Sequence, residues 1–291
     1  MASRVLVLGA SGLLGFPTFL EARSRYGDAA QGTYRTLPEA LEGVAGLHRM
    51  DLRDSAGVRR LLEELRPATV INCAGIVKSV CTDALEAIDV NAALPHRLAQ
   101  GIEGWRGRLV QVSTDCVFSG RRGRYRESDA ADPEDLYGRS KLLGEVLEEP
   151  HLTVRTSFIG FEPRTCRGLL QWFLAQRGSV RGFRNAIWSG LTADRLAVVL
   201  NDLAARPEVT GLLHGAGEAL DKDTLLHLMA EVFEKTDVTI EGVDEPRIDR
   251  SLDGTRLRRL GVDVPPIREM LRGLRRWREA GAASAGGRRG S

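Results

Sequence analysis

The sequence predicts an α/β protein: a doubly wound parallel sheet followed by a smaller, mixed C-terminal region. Three observations carry this. Strand-like and helix-like segments alternate through the first 156 residues, which implies parallel strands with helices on both faces. A glycine-rich turn, Gly9-Ala-Ser-Gly12-Leu-Leu-Gly15, lies directly between the first apolar run and the first amphipathic stretch. Beyond residue 156 the alternation breaks.

Residues 5–8 form a short apolar run of the buried-strand kind, and 13–25 are amphipathic. Residues 29–34 and 46–50 read as two further strands, the second followed by Asp51 and a helix through Leu65. Residues 69–72 are a fourth strand. Residues 82–101 read as a helix that Pro95 must kink or restart. Residues 108–113 are a fifth strand, and a polar loop of about twenty residues leads to a helix around Tyr137. Residues 151–156 close the series. Later come a helix at 169–176, a loop over 182–190, and a helix over 193–205 with Thr192 as its N-cap. A strand at 211–215 is placed to return to the main sheet, and 222–235, 238–241 and 267–280 complete the mixed region. The expected organisation is therefore a dinucleotide-binding unit of 1–156 plus about 191–217, and a substrate-binding region of 157–190 plus 218–280. Residues 281–291, small and polar, read as a flexible tail.

The 291 residues carry 41 basic and 39 acidic side chains, so no strong field draws nucleic acid or a membrane surface. Cys73, Cys81, Cys116 and Cys166 have no metal-site spacing and fit reduced thiols of a cytoplasmic protein. No apolar run approaches membrane-spanning length, and 4–8 read as a first strand rather than a leader. None of the five histidines belongs to a triad or metal pattern; His214 reads as a packed residue.

The position of the glycine turn gives it meaning. After a strand and before a helix, it supplies the tight turn, the close approach of backbone to a pyrophosphate, and helix–strand packing of a Rossmann-type site. Gly9, Ser11, Gly12, Leu13, Leu14 and Gly15 are the candidate cradle. At the end of the second strand an NAD site carries an acid; here Arg35 stands, which suits a 2′-phosphate and predicts NADPH rather than NADH. Asp51 and Leu52 are placed to meet the adenine, and Cys73, Ala74 and Gly75 end the fourth strand.

Tyr137 and Lys141 share one helix face. A phenol titrates near pH ~10, and a cation about 4 Å away is worth up to roughly 4 kcal/mol at an effective dielectric near 20, enough to tune it. The chain has only four lysines, Lys78, Lys141, Lys222 and Lys235, so an amine at 141 is a distinctive choice. The plainer alternative is a solvated i,i+4 pair.

Asn72-Cys-Ala-Gly75, Asn91, Val112-Ser-Thr-Asp-Cys-Val-Phe118 and Tyr137 with Lys141 follow in an order that resembles the extended short-chain dehydrogenase/reductases. Within them the chain is most similar to the dTDP-4-dehydrorhamnose reductase group, from Val5 to about Ile159 and more loosely to Arg256. The resemblance implies that Thr114 binds the substrate carbonyl and Tyr137 is the acid. Lys141 would hold the nicotinamide ribose and tune Tyr137, and Asn91 would support that lysine. It implies no metal, a nucleotide-diphosphate keto sugar as partner, and a homodimer among the assemblies it allows. Dehydratases of this superfamily carry Asp-Glu after the threonine; here Asp115-Cys116 lacks the second carboxylate, which points to simple reduction. After the fourth strand Ile76-Val-Lys-Ser79 departs from the tyrosine-threonine-acidic stretch usual in rhamnose-type reductases, which leaves the sugar and base open. Lys78, Asp115, Cys116, Arg184, Asn185, Trp188, Arg250 and Arg256 are candidate substrate contacts, and Arg121, Arg122 and Arg124 form a basic loop. An epimerase of the same superfamily and a non-catalytic NADP-binding regulatory subunit are the competing readings.

Overall fold

The first strand, β1 (Val5–Leu8), is buried on both faces. Val5 and Val7 point into one apolar cluster, Leu6 and Leu8 into another. A strand apolar at every position therefore belongs at the centre of a covered parallel sheet. The computed structural model describes residues 4–163 and 168–287, the last seven as backbone alone. Cys166 lies outside the described residues.

From β1 the chain alternates through α1 (Gly15–Tyr26), β2 (Ala30–Tyr34), β3 (Leu47–Arg49), α2 (Ser55–Leu65), β4 (Thr69–Asn72), α3 (Ala84–Ala87), α4 (Leu94–Ile102), β5 (Arg108–Thr114), α5 (Leu136–Leu143) and β6 (Leu152–Thr156). Then come β7 (Phe158–Ile159), α6 (Leu169–Ala175), β8 (Gly178–Phe183), β9 (Ala186–Trp188), β10 (Leu191–Thr192), α7 (Ala193–Ala204) and β11 (Gly211–Gly215). The chain ends with β12 (Leu220–Asp221), α8 (Lys222–Val232), β13 (Val238–Val243), β14 (Ile248–Asp249), α9 (Thr255–Arg259) and α10 (Ile267–Gly287).

Seven parallel strands form the main sheet in the order β11-β6-β5-β4-β1-β2-β3. α1 and α7 cover one face and α2 and α4 the other. The strand order reverses between β1 and β4, so the loops after these two strands diverge and leave a crevice at their carboxyl ends. The expected return of 211–215 is observed: β11 pairs with β6 from Gly211↔Leu152 to Gly215↔Thr156. The remaining strands make small sheets, β7 with β10, β9 with β12 and β14, and β8 with β13.

The helix expected over 82–101 is broken. Between α3 and α4 the chain widens into a π turn, Ile88–Ala93. Pro95 in the first turn of α4 cannot donate to the carbonyl of Asn91, four residues earlier, and its ring would crowd it. A π turn absorbs that misfit. Thr192 does precede α7, but its hydroxyl makes no capping bond to the helix. α10 runs on to Gly287, through part of the segment expected as a tail. Among the described residues no helix is long and apolar enough to cross a membrane.

Candidate active site

A cleft of about 520 Å³ opens at the carboxyl ends of β1, β2 and β4. Gly9 turns at φ +76°, a conformation that favours glycine. A Cβ on Gly15 would sit 2.0 Å from the Gly9 carbonyl oxygen, so only glycine lets α1 start against the turn. Thr33 braces the loop: its hydroxyl accepts from Gly9 N at 3.1 Å, and its carbonyl accepts from Ala10 N at 2.7 Å. Gly9, Ser11, Gly12, Leu13, Arg35, Asp51, Leu52, Cys73, Ala74 and Gly75 all line this cleft. Leu14 and Gly15 lie buried beneath the loop and shape it from below.

Sequence reasoning passed over Arg53, which also lines the cleft. Its guanidinium grips Asp51 through Nε (3.0 Å) and Nη2 (2.6 Å) and reaches Glu86 at 3.6 Å. These hydrogen bonds hold the Asp51 carboxyl down at about 2. The acid at the end of β3 is thus occupied, whereas among the described residues no hydrogen bond or ion pair engages the Arg35 guanidinium. Arginine at positions 35 and 53 and a spoken-for acid form a donor set for a 2′-phosphate. Together with the Gly15 approach, the residues present fit NADPH.

Next to the cleft, β5 ends at Thr114. Its hydroxyl accepts from Cys116 N (3.1 Å) and donates to Asp115 (3.2 Å), closing the turn into the loop. α5 is capped by Asp135, which accepts from Gly138 N at 2.7 Å and pairs with Lys78 at 2.7 Å. Gly138 lies flush on the Thr114 turn, for a Cβ there would meet Cys116 O at 2.3 Å. This contact brings the Tyr137 phenol to face Thr114.

Lys141 is buried, and its Nζ donates to Val112 O at 2.7 Å. A Cβ on Gly75 would be 3.7 Å from that Nζ, which puts the ammonium beside the cleft lining. Burial pulls the ammonium down to about 8 against the charge of Glu145. Tyr137 departs from expectation: burial of its phenol end raises its pKa above the ordinary value, and facing Thr114 offsets only part of that. Lys141 does not lower it, because Nζ is turned into β5. Asn91 bears on Lys141 through the helix. Its Oδ1 accepts from Ile76 N (2.8 Å), and its Nδ2 donates to Ile76 O and to Ser140 Oγ (both 3.1 Å). Ser140 in turn donates to Tyr137 O at 2.9 Å.

Burial also raises the Asp115 carboxyl, opposed by Cys116, Arg250 and Thr114, and it pushes Cys73 and Cys116 up to about 12. Those thiols are protonated and poor nucleophiles at neutral pH. Among the described residues no cluster of ligating side chains could hold a metal.

The candidate substrate contacts divide. Lys78 and Arg250 stand by the site: Arg250 donates to Phe118 O at 2.8 Å, and its charge reaches Asp115, Cys116 and Asp135. Arg184 and Asn185 sit at the turn from β8 to β9, where Asn185 donates to Asp244 O at 2.9 Å and Arg184 reaches the Asp244 carboxylate at 3.9 Å. Two expectations need correction. Trp188 is a core residue, 6% exposed, with its indole N–H on Ser157 at 2.9 Å. Arg256 spends its guanidinium on the carbonyls of Leu212 and Thr210, at the amino end of β11 and so across the sheet from the cleft. In the basic loop, Arg121 pairs with Glu134 at 2.8 Å and Arg122 with Asp129.

A doubly wound parallel sheet, a glycine cradle at its switch point and a Thr–Tyr–Lys set beside it define an extended short-chain dehydrogenase/reductase. The comparison with known families is specific: residues 3–250 match the RmlD substrate binding domain, and the chain belongs to that family. It is 33% identical over 301 residues to the probable dTDP-4,6-dihydroxy-2-methyloxan-3-one 4-ketoreductase of Streptomyces antibioticus, spanning 96% of this chain and 90% of that one. It is 27% identical over 286 residues to methionine adenosyltransferase 2 subunit beta of Bos taurus, spanning 89% and 83%. Among solved structures, dTDP-4-dehydrorhamnose reductase from Bacillus anthracis, in complex with NADP, shares the fold with a TM-score of 0.78 at 21% identity, covering 94% of this chain and 99% of that one.

Proposed function

We propose that the protein is an NADPH-dependent reductase of the C4 ketone of a nucleotide-linked 4-keto-6-deoxy sugar, of the dTDP-4-dehydrorhamnose type. One juxtaposition carries the reading. The Thr114 hydroxyl faces the Tyr137 phenol next to a glycine-cradled cleft whose far end bears Arg35 and Arg53. The family relationship and the relative named as a probable 4-ketoreductase, matched over 90% of its length, support it.

In this reading NADPH supplies the hydride. Arg35 and Arg53 would hold the 2′-phosphate, the Gly9–Gly15 turn would accommodate the pyrophosphate, and Lys141 would hold the nicotinamide ribose. Thr114 and Tyr137 donate hydrogen bonds to the ketone oxygen and bind it more strongly as negative charge develops. Tyr137 then gives its proton to the alkoxide. A phenol whose pKa is raised stays protonated throughout the neutral range, as an acid in the reducing direction requires. Residues 157–190 and 218–280 cover the sugar nucleotide, with Lys78 and Arg250 nearest its diphosphate, while 1–156 and 191–217 carry the cofactor.

The test is NADPH oxidation with a dTDP-4-keto-6-deoxyhexose. Turnover should fall by about 10²–10⁴-fold in Tyr137→Phe. Full turnover in that variant would remove Tyr137 as the acid. A wild type that bound NADPH but reduced no keto-sugar nucleotide would favour a non-catalytic regulatory subunit; the bovine relative is named as a subunit of methionine adenosyltransferase 2.

A further inference from the structure

Behind Lys141 lies a charge that the reading above leaves without a task. Glu145 follows one turn after Lys141, just past the Gly144 cap of α5, and its side chain is 3% exposed. Its carboxylate accepts from Ser113 Oγ (2.7 Å) and from Arg155 Nε and Nη2 (both 2.7 Å). Arg155 is equally enclosed, with its guanidinium 5.1 Å from the centre of the Phe118 ring. An ion pair this deep is poorly explained by stability alone, because desolvation offsets most of its attraction. The placement is what matters: Lys141 Nζ rests on Val112 and the carboxylate on Ser113, consecutive residues of β5.

We propose that Glu145 is a positioning residue: its carboxylate, pinned by Ser113 and Arg155, keeps the buried Lys141 ammonium charged and fixed beside the cofactor cleft. The proposal rests on the reading of Lys141 as the ribose-binding cation. The charge environment leaves few other sources. Among the described residues, Glu145 and the Cys73 thiol after β4 are the titratable groups that bear on Lys141. Burial raises Cys73, Tyr137 and Cys81, the last beside Ser140, so all three are neutral at working pH. Asn91, packed on the same helix, carries no charge. On the far side of Arg155, His214 of β11 is depressed by burial and hence neutral, and Glu127 faces that histidine rather than Lys141. Glu145 is therefore the anion that sustains the ammonium.

The test is a pH titration of Lys141 in ¹³Cε-lysine-labelled protein, which has only four lysine signals to assign. Glu145→Gln should lower the Lys141 midpoint by about one pH unit. The alkaline limb of kcat/KM should move down with it, with roughly tenfold lower kcat/KM at pH 8.5 and little change at pH 6. An unmoved midpoint, or an equal loss of activity at every pH, would overturn the proposal and leave Glu145 a structural residue. Should Glu145→Gln not fold, Glu145→Gln with Arg155→Met removes both buried charges together, and the same downward shift is expected. A wild type with the Lys141 midpoint in place but no keto-sugar reduction would sink the reductase reading and leave the coupling standing.

Discussion

At the residue scale, Lys141 carries a cost of burial. Burial holds its ammonium at about 8, below the ordinary lysine value of 10.5, so the native state resists the proton that the unfolded chain accepts. Below pH 8 the full penalty applies, on the order of 3 kcal/mol at ~1.36 kcal/mol per unit, and it is relieved as pH rises toward 10.5. Lys141→Met keeps the packing and discards the charge, so it should be more stable at pH 7 by about 1–2 kcal/mol after losing the Val112 hydrogen bond. The gain should shrink as the pH approaches 10. Urea denaturation of both proteins at pH 7 and 9.5 checks it, and a variant less stable at pH 7 would show that the charge is not a burden. Tyr137 and Lys141 were legible because a helical period fixes which residues share a face. Arg53 and Arg155 were not, because their carboxylate partners are set by how loops and strands meet. The direction of the Tyr137 shift also escaped sequence reasoning, which sees spacing but not where Nζ points.

At the scale of elements, α5 is located by absences. Gly138 rests on Cys116 O, and a Cβ on Gly144 would stand 1.9 Å from Asn91 O in the π turn. The Pro95 that forces that turn and the glycine that receives it thus fix how α5 sits between β5 and α4. Gly→Ala inside an unobstructed helix should stabilise by ~1 kcal/mol. Gly138→Ala should do the reverse, because a backbone carbonyl cannot yield as a side chain can, and a shift near 1 Å at Tyr137 costs on the order of 10²-fold in kcat. NADPH affinity should be unchanged, since the glycine cradle is on another element. Fluorescence titration of the cofactor beside steady-state kinetics separates the two; wild-type kcat would mean that α5 is not held by this contact. The helix itself was readable from Asp135 and the residues that follow. The π turn was only half so, since Pro95 announced a break but not its geometry.

At the scale of the whole molecule, the seven-stranded sheet and its switch point were readable because strand-like and helix-like segments alternate and β1, apolar at every position, leads straight into the glycine turn. The second region was read less well. Its strands are two to six residues long and pair across distant segments, such as β9 with β12 and β14. Periodicity cannot say which way an indole or guanidinium points there, and so Trp188 and Arg256 were assigned to substrate when one fills the core and the other ties α9 to β11. In the proposed function the whole molecule serves one carbonyl, with hydride coming from the cofactor cleft and a proton from α5. The measurement that tests this most directly follows deuterium from [4-²H]NADPH into the product by NMR. Label is expected at C4 of the sugar, with the new hydroxyl proton drawn from solvent. Product without deuterium at C4, or label at another carbon, would contradict it.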